Sequence, residues 1–251
     1  MAFKPREKKE ARRLHAYVCT PAYQGTVETN YSQSLSETSF SCPLYGVRLT
    51  AGVMWNGAFI ELARNVFVKK FLEEEELKDC THLFFIDSDL KWEARAFIGL
   101  ILSGHPVCAG IYRRRQEPEE YPFRGVENPN GGGLWFVDDW LQCDRVPTGF
   151  LCIARPVLEE MSKAAPKIKV FGHGLVPWVF HPSFDGEWAP KDGASFIGED
   201  FGFCDDYVRL FKQSVQVWTN FDFVHGGYEG NLFKWLTQER NKLEKQTSTA
   251  A

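Results

Sequence analysis

Residues 82–92, HLFFIDSDLKW, drive four consecutive apolar residues straight into two carboxylates one residue apart, Asp87 and Asp89. A short apolar run of this length reads as a buried strand. On extended backbone, side chains two apart point the same way, so the spacing predicts that Asp87 and Asp89 face one spot and Ser88 the other. Two aligned carboxylates suit a hard divalent cation, which takes oxygen ligands and accepts water or phosphate oxygens as the remainder. The plainer alternative is a turn in which Asp89 caps the next helix and Asp87 is a solvated acid.

The flanks decide what kind of sheet holds that strand. Residues 14–19, LHAYVC, form an apolar run stopped by Thr20-Pro21 and read as a first strand. Residues 59–72 repeat apolar side chains at helical spacing and run out into EEEE, residues 93–102 read as a second helix, and residues 106–112, PVCAGIY, as another strand. Strand, helix, strand, helix, strand predicts an α/β fold with a Rossmann-like, mostly parallel sheet flanked by helices. Ligands of such sheets collect at the carboxyl ends of the strands, where Asp87 and Asp89 fall.

Beyond Tyr112 the charged RRRQEPEEYP and the glycine-rich ENPNGGG read as loops. Order returns with RVPTGFLCIAR as a strand and a helix opened by Pro156. Residues 181–196 form a long polar loop carrying Trp188, of a length often found in lids. Residues 200–212 then read as a helix, VQVWT as a strand, and the charged tail as a terminal helix. With neither an internal repeat nor a linker, one domain is expected over residues 14–231, after a charged arm at 1–13 and before a C-terminal helix and frayed tail at 232–251.

Composition bounds the function. With 251 residues, 44% hydrophobic and 25% charged, the chain is globular rather than disordered. A formal net charge of -4 provides no global basic field for nucleic acid. Aromatic residues at 15% suit sugar or base binding, although a rich core is the commoner explanation. No apolar stretch approaches a membrane span and MAFKPREKKEARR lacks the apolar region of a signal peptide, so a cytoplasmic protein is expected. Seven cysteines, mostly in apolar segments and with no C-x-x-C pair, read as buried free thiols.

Two further groups accompany the aspartates. GEDFGFCDDY places Glu199 and Asp200 at a loop-to-helix junction, where acids also occur simply to oppose the helix dipole. FDFVHGG places His225 after a late apolar segment, where a polar loop histidine would be unremarkable. Taken with CTPAY, ELARN, VCAGIYRRR and VPTGFLCIARPVLEEM, the set spans Thr20 to Gly227 and resembles the metal-dependent, nucleotide-sugar-using glycosyltransferases of the GT-A fold, particularly small phage and viral members. Arg113 departs from the proline usual at its position, and the GGG loop is not part of the common pattern.

The resemblance implies Mn2+ or Mg2+ on Asp89, with Asp87 assisting and His225 completing the coordination. It implies a donor pocket of Thr20, Pro21, Tyr23, Arg64, Asp87, Ser88 and Asp89, with a UDP-sugar preferred to a GDP-sugar. Asp200, or second to it Glu199, would be the general base of an inverting transfer. Thr148 and Gly149 would floor the acceptor site, with Trp188 on the loop above. The acceptor would be a glycan or, because Arg114 and Arg115 leave the same strand edge, DNA carrying hydroxylated bases. Two other classes stand beside this one. A haloacid-dehalogenase-like phosphohydrolase would use Asp87 as nucleophile, but its motif departs at Lys91 and Trp92. A non-catalytic carbohydrate or nucleic-acid binder would use the aromatics and arginines.

Overall fold

The computed structural model describes residues 14–55, 59–184 and 191–249. Trp188 and the charged arm at 1–13 lie outside them. The first half contains β1 (His15–Ala22), α1 (Thr29–Ser41), β2 (Arg48–Trp55), α2 (Ile60–Glu73), β3 (His82–Ile86), β4 (Leu90–Lys91), α3 (Ala94–Ser103) and β5 (Val107–Ala109). Next come β6 (Arg124–Gly125), β7 (Phe136–Val137), β8 (Trp140–Arg145), β9 (Phe150–Ala154), α4 (Arg155–Ala164) and the hairpin strands β10 (Lys167–Val170) and β11 (Gly174–Pro177). The chain ends with β12 (Ser183–Phe184), β13 (Phe196–Ile197), α5 (Glu199–Phe211), β14 (Val215–Trp218), β15 (Phe223–His225), β16 (Tyr228–Gly230) and α6 (Leu232–Thr249).

The central sheet has the order β2-β1-β3-β9-β5-β14-β8-β6, with β7 also paired to β8. Strands β2, β1, β3, β5 and β14 run one way, as their parallel pairings and the shared antiparallel neighbour β9 require. The expected mostly parallel α/β sheet is therefore present, with β9 and β8 reversed. Alternation along each strand fills both faces. Tyr17, Cys19, Leu83 and Phe85 meet Phe67 and Phe71 of α2, Leu158 of α4 and Phe203 of α5. Ala16, Val18, Phe84 and Ile86 meet Tyr31 of α1 and Phe97 and Ile101 of α3. All seven cysteines are free and buried, as the apolar runs around them predict.

Two local features differ from the sequence reading. Residues 23–58 contain a helix and a strand, α1 and β2, that hydrophobic period does not reveal. In α1 the buried positions are Tyr31, Ser34 and Thr38, so polar side chains occupy most of its inner face. The D-x-D motif is also not extended. β3 stops at Ile86, and the Leu90 N–H donates to the Asp87 carbonyl at 3.2 Å, closing a turn over Ser88 and Asp89. The two carboxylates consequently have separate partners, because alternation holds only while the backbone stays extended.

Candidate functional site

Three chain segments meet at the carboxyl edge of β3. The Asp87 N–H donates to the Gly149 carbonyl at 3.0 Å, which ties the end of β3 to the loop before β9. Tyr112, three residues past β5, donates its hydroxyl to Asp87 Oδ2 at 2.9 Å and accepts the Gly149 N–H at 3.1 Å. A Cβ at Gly149 would lie 2.0 Å from the Tyr112 hydroxyl and 2.1 Å from Asp87 Oδ2, so only glycine leaves room for this contact. Beside it the Thr148 hydroxyl is buried with no hydrogen-bond partner among the described residues. Tyr112 gave no warning in the sequence, since an aromatic ending an apolar strand reads as core.

Arg64 of α2 is the electrostatic centre. The residue is 3% exposed, and its guanidinium pairs with Glu199 and lies 3.3 Å from Asp87 Oδ1. Burial alone would lower its pKa, but Asp87, Glu199 and Asp200 together raise it. One positive charge thus faces three carboxylates, and the excess negative charge favours a further cation or a retained proton. Burial raises the pKa of both Glu199 and Asp200, outweighing Arg64, which lowers each. The two acids differ in their freedom. Glu199 is held by Arg64, whereas Asp200 accepts the Phe201 N–H at 2.8 Å. Asp200 also lines a cleft of about 750 Å3 with Phe201, Gly198, Ile197, Arg114 and Arg145.

Asp89 belongs to a second group. Arg115 Nη1 lies 2.8 Å from its Oδ2, and His225 Nε2 lies 3.6 Å from the same atom. β15 pairs with β4, opposing His225 to Leu90, and thereby delivers the histidine. His225 Nδ1 is 2.9 Å from the Arg113 carbonyl, which can only accept. Nδ1 therefore carries a proton, and in the neutral ring Nε2 turns its lone pair toward Asp89. The Tyr112 ring packs edge-on against His225 at 4.6 Å, so the Asp87 and Asp89 groups share a wall. A pocket of about 460 Å3, whose lining includes Tyr23, Glu28, Ser88, Asp89 and Arg115, opens beside Asp89.

Asp89 and His225 are the two groups here that could hold a divalent cation. Asp89 Oδ2 and His225 Nε2 offer one oxygen and one nitrogen, and Arg115 already places positive charge on that oxygen. Among the described residues no three His, Cys, Asp or Glu side chains converge as a metal cluster. Most positions around a cation would thus fall to water or ligand oxygens, a mode Mg2+ commonly adopts.

Other expected positions are placed differently. Thr20 is fully buried with its hydroxyl on Tyr31, so it shapes β1 instead of touching the pocket, while Pro21 is half-buried beside it. Tyr23 is 65% exposed at the pocket. Arg114 lies 3.4 Å from Glu120 on the larger cleft, whereas Arg115 turns to the smaller pocket. The arginine run is therefore not one patch, and buried Arg113 pairs with Glu117.

No family model matches the sequence, and no curated protein matches it. Among solved structures, the crystal structure of A197 from STIV aligns at 15% identity with a TM-score of 0.49, covering 84% of this chain and 85% of that chain.

Proposed function

We propose that the protein is a metal-dependent glycosyltransferase that moves a sugar from a nucleotide-sugar donor to a hydroxyl acceptor. The observation that carries this reading is the combination of a half-buried Asp200, its pKa raised by burial, on the larger cleft with the Asp89–His225 donor pair on the smaller pocket. In the smaller pocket Tyr23 would stack on the donor's base, with Ser88 and Asp89 beside the diphosphate. Asp89 and His225 would hold Mn2+ or Mg2+, which when bound offsets the charge gathering on the leaving diphosphate.

The protein's own groups perform the rest. The acceptor oxygen bonds to the anomeric carbon as the sugar–phosphate bond breaks, and the hydroxyl proton passes to Asp200. A poor nucleophile needs such a base, and a raised pKa brings a carboxylate closer to the proton affinity required. Arg64 keeps Glu199 and Asp87 in place and prevents their repulsion from expelling Asp200. Gly149 lets Tyr112 approach Asp87, which fixes the Asp87 carboxylate at the end of β3. A UDP-sugar is the preferred donor, and a glycan or a hydroxylated base in DNA is the acceptor class to test.

The test is a panel of nucleotide sugars incubated with Mn2+, reading release of nucleoside diphosphate, followed by mass spectrometry of candidate acceptors. Release from one donor that stops with chelator supports the reading. No release from any donor, with a stable fluoride phosphate-mimic adduct at Asp87, would instead make the protein a phosphohydrolase.

A further inference from the structure

Outside the site, β10 and β11 form a separate two-stranded ribbon. Its register opposes Lys167 to Pro177, Ile168 to Val176, Lys169 to Leu175 and Val170 to Gly174. Directly opposed side chains share a face. Val176 is fully buried and Ile168 half-buried, so that face turns inward. Lys167, Lys169 and Leu175 are exposed, the last at 58%, and Phe171 follows the end of β10 at the start of the turn. Phe171 is completely exposed. The turn is set by Gly172 and Gly174, at φ +75° and +71°, and by the His173 N–H donating to the Val170 carbonyl at 3.1 Å. Lys167 and Lys169 make no ion pair or side-chain hydrogen bond with the described residues.

We propose that this hairpin docks the protein onto an anionic bilayer surface, with Phe171 and Leu175 entering the interface and Lys167 and Lys169 meeting acidic headgroups. The order of chemistry along the ribbon selects this occupant. Lys169 lies two residues behind Phe171, about 6–7 Å along a strand. Interfacial segments bury their apolar groups about 5–10 Å deep, which brings Lys169 to headgroup level. Lysine stems can lie along apolar surface while the ammonium stays in water. A nucleic acid would use the lysines but would not require the outermost residue to be a wholly exposed Phe. The net charge of -4 repels anionic surfaces overall, so attachment depends on this face and falls with salt. No helix among the described residues is long and apolar enough to cross a membrane, so the contact is peripheral. One short apolar tip gives reversible attachment.

The test is sedimentation of the full chain with vesicles of phosphatidylcholine alone and of phosphatidylcholine mixed with phosphatidylserine. The protein should pellet with the mixed vesicles and release at raised salt. Phe171→Ser should weaken binding by about 10-fold or more, the scale of losing one buried aromatic. Lys167→Glu with Lys169→Glu should erase the preference for phosphatidylserine. All three positions are exposed, and an unchanged melting temperature checks that the variants fold. Failure to pellet, or equal binding by Phe171→Ser, overturns the proposal. So does concentration-dependent self-association removed by Phe171→Ser, which makes a second copy the occupant, or oligonucleotide binding without vesicle binding.

Discussion

At Asp200 two effects on a carboxylate oppose one another. The first turn of α5 lowers its pKa through the helix dipole and the Phe201 N–H, while burial raises it, and burial prevails. Asp200→Asn should therefore reduce turnover by about 100-fold or more while donor affinity holds, the usual scale for a general base. The wild-type rate should fall on the acid side as Asp200 protonates, at a pH above its ordinary 3.8. Stability moves oppositely. A folded-state pKa above the unfolded one means that the contribution is fully present below the unfolded value and is lost as pH rises through the folded one. Asp200→Asn should raise the melting temperature at neutral pH, and the gain should shrink toward pH 3.8. A variant that loses activity and melts lower would contradict this balance.

The Asp89 group yields a pair of changes with opposite signs. His225→Ala removes a donor and should raise the Mn2+ concentration for half-maximal activity by about 10-fold or more. Arg115 is 58% exposed along its side chain and competes for the same oxygen, so Arg115→Ala should lower that concentration. A metal titration of both variants checks the pair, and movement in the same direction would refute the competition. The aspartates were legible because acids directly after four apolar residues break a strong pattern. Their separate orientation was not, because it depends on a turn closed by backbone hydrogen bonds.

On the scale of elements, α2 is bound to the chain after β11 by one side chain. Asn65 Oδ1 accepts the Val179 and Phe180 N–H groups, each at 2.8 Å, and its amide donates to the Phe180 carbonyl at 2.6 Å. Asn65 is fully buried, so Asn65→Ala strands two backbone donors. The cost should be at least about 2 kcal/mol. A lower urea midpoint at unchanged slope measures it, and an unmoved midpoint would mean that water replaces the amide. Helices α2, α3 and α5 were readable because their inner faces are apolar at helical spacing. α1 was unreadable because Ser34 and Thr38 are spent on Trp92, accepting its backbone and indole N–H groups. The direction of β9 was equally hidden, since a short apolar run looks the same paired either way.

For the whole molecule, each pocket draws residues from segments distant in sequence, Tyr23 and Arg115 meeting at the smaller one and Arg114 and Asp200 at the larger. Mn2+ with a nucleoside diphosphate should raise the melting temperature more than either alone, because only their joint binding offsets both charges. Additive or absent shifts would separate the sites.

The position of β9 also governs how the protein is made. Residues 150–154 lie between β3 and β5, whose partners on that side they supply. A nascent chain that has synthesised only its first hundred or so residues holds two inward strand edges with nothing between them. No fragment ending before β9 should therefore be stable alone, and the finished chain should unfold in one step. Far-ultraviolet circular dichroism and tryptophan fluorescence should give coincident transitions. The interlocked sheet also closes slowly, because its central pairings wait on distant segments, and until they form the unpaired edges of β3 and β5 are open to a neighbouring chain.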